Sequence, residues 1–181
     1  MTSAGKVLYL VVCGAGPAGE IGTLVGLARQ HGWIPQVVAT PAALAFIDVP
    51  ELERLTGRPI RSRYRSPDEP KPPRADAVIV APATFNTINK FAQGIADTYA
   101  LGVLAEAVGL GIPVVVLPFV NSALAGRLPF RQSVDRLREE GVSILLGPGA
   151  FEPHPPNGEA APPPWHLTLT ELARLSAKPH K

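Results

Sequence analysis

The sequence predicts an α/β fold, a single Rossmann-like doubly wound parallel sheet with helices on both faces and an irregular proline-rich C-terminal tail. Two observations predict it. Five short runs rich in β-branched residues are apolar almost throughout, as in the strands of a parallel sheet covered on both faces. Segments with helical periodicity separate them. The runs are VLYLVV (7–12), QVVA (36–39), AVIVA (77–81), VVVL (114–117) and SILL (143–146).

Helices are expected over residues 18–30, 42–48, 50–55, 88–109 and 130–140. Gly94 is expected to interrupt the fourth of them, because glycine has poor helix propensity. The charged, proline-rich residues 61–74 predict an exposed loop before the third strand. After Gly147 the composition again becomes proline-rich, which predicts an extended surface tail, with a short helix as a possibility.

Composition excludes several classes of function. A net charge of +2 over 181 residues, with 6% aromatic residues, gives no reason to expect a nucleic-acid partner, although RPIRSRYR (58–65) is locally basic. The apolar span 101–125 is interrupted by Glu106 and Pro113, so no membrane segment is predicted. The single cysteine, Cys13, cannot form an internal disulfide, which favours a reducing, cytoplasmic location.

A glycine-rich stretch follows the first strand. Gly14, Gly16 and Gly19 match the G-x-G-x-x-G pattern, whose backbone N–H groups can face a phosphate at a helix start. A dinucleotide site also needs an acidic residue at the end of the second strand, roughly 20 residues later. Thr40 stands there instead. The sequence therefore disfavours NAD(P) or FAD, while a dinucleotide oxidoreductase remains an alternative.

Small and uncharged polar residues follow the other strands. The third strand ends in APATFNT, where Thr84, Asn86 and Thr87 come after the small Ala83, and Asn121 follows the fourth strand. The carboxyl ends of parallel strands share one edge of the sheet. Such a lining suits a planar heterocycle held by amides and hydroxyls, with its phosphate near a helix N-terminus. The alternative is that the three polar residues only cap a helix.

Three segments carry a resemblance to a known family: VATPAALAFID (38–48), ADAVIVAPATFNTINKFAQGIAD (75–97) and PFVNSALAGRLPF (118–130). In these segments the chain resembles the flavin-containing cysteine decarboxylases, which bind FMN. The resemblance implies an FMN-binding flavoprotein domain over residues 1–147 and an extension over 148–181. It implies that the cofactor is bound by Gly14, Ala15, Gly16, Thr40, Phe46, Ala83, Thr84, Asn86 and Thr87.

The same resemblance implies an activity and an assembly. The activity is the oxidative decarboxylation of a cysteine-derived or other small carboxylate, free or in a peptide, with Asn121 as a catalytic residue. The assembly is a homo-oligomer, either a trimer or a dodecamer in which trimers are grouped, with FMN held between subunits. No metal-ligand cluster is expected.

The chain departs from the family pattern at several positions. Residues 60–76 lack the histidine that the family carries ahead of its third strand, and Val120 and Ala125 replace a methionine and a tryptophan near Asn121. His154 and His166 are expected in a solvated tail, and the alternative is that one of them reaches the site of a neighbouring subunit. Two alternatives therefore stay open: an FMN-binding protein without decarboxylase activity, such as a sensor or partner subunit, and an enzyme like the flavin prenyltransferases.

Overall fold

A five-stranded sheet forms the centre of the computed structural model, which describes residues 5–177. The strand order is β2-β1-β3-β4-β5, and every pair of neighbours is parallel. The predicted parallel α/β sheet is therefore confirmed. The strands are β1 (Val7–Val12), β2 (Ile34–Ala39), β3 (Ala77–Ala83), β4 (Val114–Pro118) and β5 (Ser143–Ile144).

Seven α-helices and two 3-10 helices surround the sheet in the described residues. The α-helices are α1 (Ile21–Gln30), α2 (Val49–Thr56), α3 (Phe85–Ala92), α4 (Tyr99–Gly109), α5 (Ser122–Ala125), α6 (Leu128–Glu139) and α7 (Trp165–Ser176). α1 contacts α2 and α7, and α3 contacts α4 and α6, which forms two helical layers. No helix within residues 5–177 is long and apolar enough to cross a bilayer.

Two of the expected helix starts are 3-10 helices, Gly16–Glu20 and Pro41–Ala45. Each has proline at its first or second position. Proline suits the start of an α-helix and of a 3-10 helix alike, so the sequence did not distinguish the two helix types. The expected break near Gly94 is confirmed. This glycine has φ of +71° and lies between α3 and α4, in the left-handed region that glycine adopts without strain.

The core consists of strand residues packed between the two helical layers. Every residue of β1, β3 and β4 is buried, as their unbroken apolar runs predict. Phe130 in α6 is fully buried, and its ring stacks on Phe85 at a centroid distance of 5.7 Å. This contact joins α6 to the start of α3, at the edge where β3 ends.

The C-terminal extension is not a loose tail. α7 buries Trp165, Leu169 and Leu172, whose spacing of four and three residues places them on one helical face against α1 and the sheet. A possible short helix was predicted in the extension, and α7 is such a helix. Its burial differs from the predicted surface position, because its apolar stripe completes the core. Upstream, the backbones of Leu146 and Phe151 form an isolated parallel bridge, which fixes the start of the extension.

The basic loop of residues 61–74 does not present its arginines as one surface. Arg61 continues the edge of the sheet, since Ala39 N donates to its carbonyl oxygen at 2.8 Å. Arg63 pairs with Glu69 at 2.6 Å, and Arg65 donates to backbone oxygens of the loop itself. Arg61, Arg63 and Arg65 therefore have separate partners at the sheet edge and within the loop.

Tyr9 holds the end of this loop, and its ionisation lowers the stability of the fold at alkaline pH. Its hydroxyl donates to the carbonyl oxygen of Pro73 at 2.7 Å, and burial raises the pKa of Tyr9 to about 12. An unfolded tyrosine ionises near pH 10, so the folded state keeps a proton that the unfolded state loses. We expect the stability to fall as the pH rises from about 10 through 12.

Urea unfolding at a series of alkaline pH values measures this effect. The substitution Tyr9→Phe should flatten the alkaline fall, because it removes the ionising group. Tyr64→Phe is the matched control, since Tyr64 is 61% exposed. An alkaline fall that is equally steep in Tyr9→Phe and in the unsubstituted protein would contradict the assignment.

Candidate functional site

A crevice with a volume of about 660 Å³ opens at the carboxyl ends of β1 to β4. Most of the residues that the sequence analysis selected line it. They are Gly14, Ala15, Gly16, Thr40, Thr84, Asn86, Thr87 and Asn121. The crevice therefore brings together residues from four strand ends, as the parallel topology requires.

Two of the selected residues lie outside this wall. Ala83 is the last residue of β3 and is buried, and it immediately precedes the lining residue Thr84 in the sequence. Phe46 follows the 3-10 helix Pro41–Ala45 and is 46% exposed. A 3-10 helix rises about 2 Å per residue, so five residues carry the chain about 10 Å from the end of β2. Phe46 is thus outside the crevice of its own chain.

Gly14 and Gly16 have different roles in the first loop. A Cβ atom on Gly14 would lie 2.9 Å from the Cβ of Ala42 and 3.0 Å from its carbonyl group, which is too close. A Cβ atom on Gly16 would meet no atom within 4 Å. Gly14 therefore permits the ends of β1 and β2 to touch, whereas Gly16 borders open space in the crevice.

The two glycines supply a matched pair of substitutions. Gly14→Ala should lower the free energy of unfolding by about 1–3 kcal/mol, because the backbone of Ala42 must move. Gly16→Ala should change it by less than about 0.5 kcal/mol, since surface substitutions without steric conflict have small effects. Chemical denaturation of both variants measures the difference, and equal stabilities would contradict this account of the loop.

The start of α3 is capped by its own side chains. Thr84 Oγ1 accepts from the backbone N–H of Thr87 at 3.3 Å and donates to Thr87 Oγ1 at 3.1 Å. The helix-cap alternative thus explains Thr84 and Thr87. It does not explain Asn86, whose side chain lines the crevice and has no hydrogen bond within residues 5–177. The backbone N–H groups of Phe85 and Asn86, at the start of α3, have no acceptor within residues 5–177 and can hold an anion.

Asn121 begins α5 and keeps half of its carboxamide available. Its Oδ1 accepts from the backbone N–H of Leu124 at 2.9 Å, which caps the helix. Its Nδ2 donates to no group in the described part of the chain, although Asn121 lines the crevice. A carboxamide fixed through its oxygen in this way presents a donor to any bound carboxylate or thiolate.

The wall also contains five polar or aromatic residues that were not selected from the sequence: Phe85, Lys90, Thr98, Phe119 and His154. Thr98 precedes α4 and caps it, and Phe119 directly follows β4. Both could have been predicted from the sequence, as a helix cap and as a residue at a strand end. Lys90 Nζ is held by Asp97 Oδ2 at 2.5 Å. His154 had no local signal, because it reaches the crevice only through the path of the extension.

Cys13, the last residue before the glycine loop, is buried outside the lining of the crevice. Burial raises the pKa of its thiol, against hydrogen bonds to Thr87 and Thr84 that lower it. We infer a packing role for this neutral thiol. Within residues 5–177, no group of three or more His, Cys, Asp or Glu side chains is placed to hold a metal ion.

Comparison with curated proteins identifies bifunctional relatives of coenzyme A biosynthesis. The CoaBC protein of Escherichia coli K12 is 30% identical over 155 residues, which cover 82% of this chain and 37% of the relative. The CoaBC protein of Thermococcus kodakarensis is 28% identical over 147 residues, or 78% of this chain and 36% of the relative. The chain therefore spans less than two-fifths of the length of these relatives.

Comparison with solved structures gives the same fold. The FMN-dependent cysteine decarboxylase SpaF matches with a TM-score of 0.67 and 27% identity, over 78% of this chain and 83% of SpaF. A PPC decarboxylase mutant complexed with pantothenoylaminoethenethiol matches with a TM-score of 0.77 over 96% of this chain and 100% of that chain. Its 18% identity supports the fold alone.

The family comparison covers almost the whole chain. The model of the family described as flavoprotein matches residues 2–173, which include the sheet, the crevice and most of α7. Together with SpaF, this match indicates FMN as the cofactor. The chain belongs to the flavoprotein family.

Proposed function

We propose that this chain binds FMN in the crevice and uses it for the oxidative decarboxylation of a cysteine-derived or other small carboxylate, free or at the end of a peptide. One observation carries the proposal. The ends of four strands form a wall of glycines, hydroxyls and carboxamides beside the free backbone N–H groups at the start of α3. A flavin with a single phosphate needs both kinds of group.

The residues of the crevice fit FMN. A volume of about 660 Å³ lies within the range of about 300–1,000 Å³ typical of sites for molecules of this size. In this proposal the start of α3 holds the phosphate, and the open space beside Gly16 admits the ring. Thr40 at the end of β2 suits a mononucleotide, because no second ribose has to be bound there.

The chemistry divides between the cofactor and the chain. Bound FMN supplies a two-electron acceptor, which matches the oxidation that we propose. Asn121 supplies the free Nδ2 donor, which we assign to the carboxylate or sulfur of the substrate. The lining residues include no Asp or Glu, so a substrate carboxylate meets no carboxylate in the wall.

We also propose that the site is completed in a homo-oligomer. Phe46 is 46% exposed and lies outside its own crevice, which fits a ring that contacts the cofactor of a neighbouring subunit. Light scattering of the FMN-loaded protein measures the assembly. The mutation Phe46→Ala should weaken FMN binding in the oligomer, and a monomer that binds FMN normally would overturn this part of the proposal.

The second candidate function is an FMN-binding protein without turnover, such as a sensor or partner subunit. The absence of histidine from residues 60–76 favours it. The test is anaerobic incubation of the FMN-loaded protein with cysteine-ended peptides and acyl-cysteines. Flavin bleaching with release of carbon dioxide supports the decarboxylase. No flavin reduction with any peptide or acyl-cysteine supports the FMN-binding protein without turnover. A protein that retains no FMN overturns both candidates.

A further inference from the structure

We propose that His154 is a catalytic residue of this crevice, where its imidazole takes the thiol proton of the substrate. This inference rests on the proposed decarboxylase function. It concerns a residue of the extension, which the sequence alone would place in a solvated tail. Three observations support it: the position of His154, the state of its Nδ1 atom and the lack of any competing base.

The position of His154 is fixed by neighbours at the crevice. Its backbone forms a parallel bridge with Asn121, and Ser122 N donates to its carbonyl oxygen at 2.8 Å. Its ring packs on the ring of Phe119 at a centroid distance of 5.0 Å. The imidazole and the free carboxamide of Asn121 are therefore neighbours in one wall, and a single small ligand can contact both.

The Nδ1 atom of His154 is buried and has no hydrogen-bond partner in the described part of the chain. Buried polar atoms are nearly always paired, and an exception at a functional site points to a partner supplied by a ligand. A thiol that enters the crevice is such a partner, because it can donate its hydrogen to a neutral imidazole nitrogen.

No other lining residue is available as a base. Lys90 and His154 are the ionisable side chains among the residues that line the crevice, and Lys90 is engaged by Asp97. Threonine and asparagine side chains do not accept protons near neutral pH, whereas imidazole does. Glu152, the nearest carboxylate along the same segment, is exposed and outside the lining.

The proton balance of the reaction assigns His154 its role. As the thiol carbon is oxidised, the S–H proton passes to Nδ1 of His154, and the C–H hydrogen leaves with two electrons to FMN. A carbon–sulfur double bond forms. The bond between the neighbouring carbon and the carboxylate then breaks and carbon dioxide leaves. The electron pair of that bond forms a carbon–carbon double bond, and the π pair of the carbon–sulfur double bond moves onto sulfur, which gives an enethiolate. His154 returns the proton, so one substrate and one FMN give an enethiol, carbon dioxide and reduced FMN.

The test compares His154→Gln with His31→Gln, a control at the opposite end of the sheet, where His31 follows α1. Both variants should bind FMN with affinities within about twofold of the unsubstituted protein, by fluorescence quenching. Anaerobic flavin reduction by a cysteine-ended peptide should fall about 100-fold or more in His154→Gln, the usual range for loss of a general base. Its dependence on pH near neutrality should disappear, and free imidazole should partly restore the rate in His154→Ala.

A second measurement does not depend on turnover. Nitrogen NMR of the histidine rings in the FMN-free protein should show protonation of His154 when the peptide thiol binds, with His31 unchanged. An active protein whose His154→Gln variant keeps its rate and pH profile overturns the assignment alone. A protein in which no peptide ever reduces the flavin overturns the proposed function, so the two failures are distinguishable.

Discussion

The substitution Phe130→Ala is expected to lower the free energy of unfolding by about 3–5 kcal/mol, the usual cost of removing a buried phenylalanine ring. Phe130 is fully buried in α6 and stacks on Phe85 at 5.7 Å, with an angle of 13° between the ring planes. The cavity left behind cannot collapse easily, because α6 and α3 are both packed on the sheet. Urea unfolding measures the loss.

The control is Leu128→Ala in the same helix. Leu128 is 57% exposed, so its truncation should change the stability by less than about 0.5 kcal/mol. Because Phe85 lines the crevice, Phe130→Ala should also weaken FMN binding. A Phe130→Ala protein as stable as the Leu128→Ala protein would show that the stacked pair does not hold α6 against α3.

The substitution Asn121→Asp is expected to reduce the rate of decarboxylation about 100- to 1,000-fold while FMN stays bound. Aspartate keeps the oxygen that accepts from Leu124 N–H, so α5 retains its cap. It removes the Nδ2 donor and places a negative charge beside the substrate carboxylate. Loss of one fixed donor at a developing charge has effects of this size.

Single-turnover flavin reduction measures the rate, and visible absorbance measures the bound FMN. Asn157→Asp is the matched control, because it makes the same change of charge at an exposed position of the extension. It should leave both quantities unchanged. Normal turnover in Asn121→Asp would remove Asn121 from the proposed chemistry.

The central sheet was predictable because its strands are buried on both faces. The apolar runs of β1, β3 and β4 correspond to strands in which every residue is buried. The break between α3 and α4 was also predictable, since Gly94 adopts a backbone conformation that other residues rarely adopt. β5 is shorter than its apolar run, because only Ser143–Ile144 pairs with β4.

The crevice was predictable where its residues directly follow strands. Gly14, Thr40, Thr84 and Asn121 are placed by the parallel topology, which needs no knowledge of side-chain packing. Their roles toward FMN remain predictions. His154 was not predictable, since its position depends on a bridge between distant parts of the chain and on the burial of α7.

The bridge between Asn121 and His154 has a consequence for the order of synthesis. Residues 5–144 contain all five strands, and they leave the ribosome before the segment that carries His154. During synthesis, His154 is therefore the last of the crevice's lining residues to leave the ribosome.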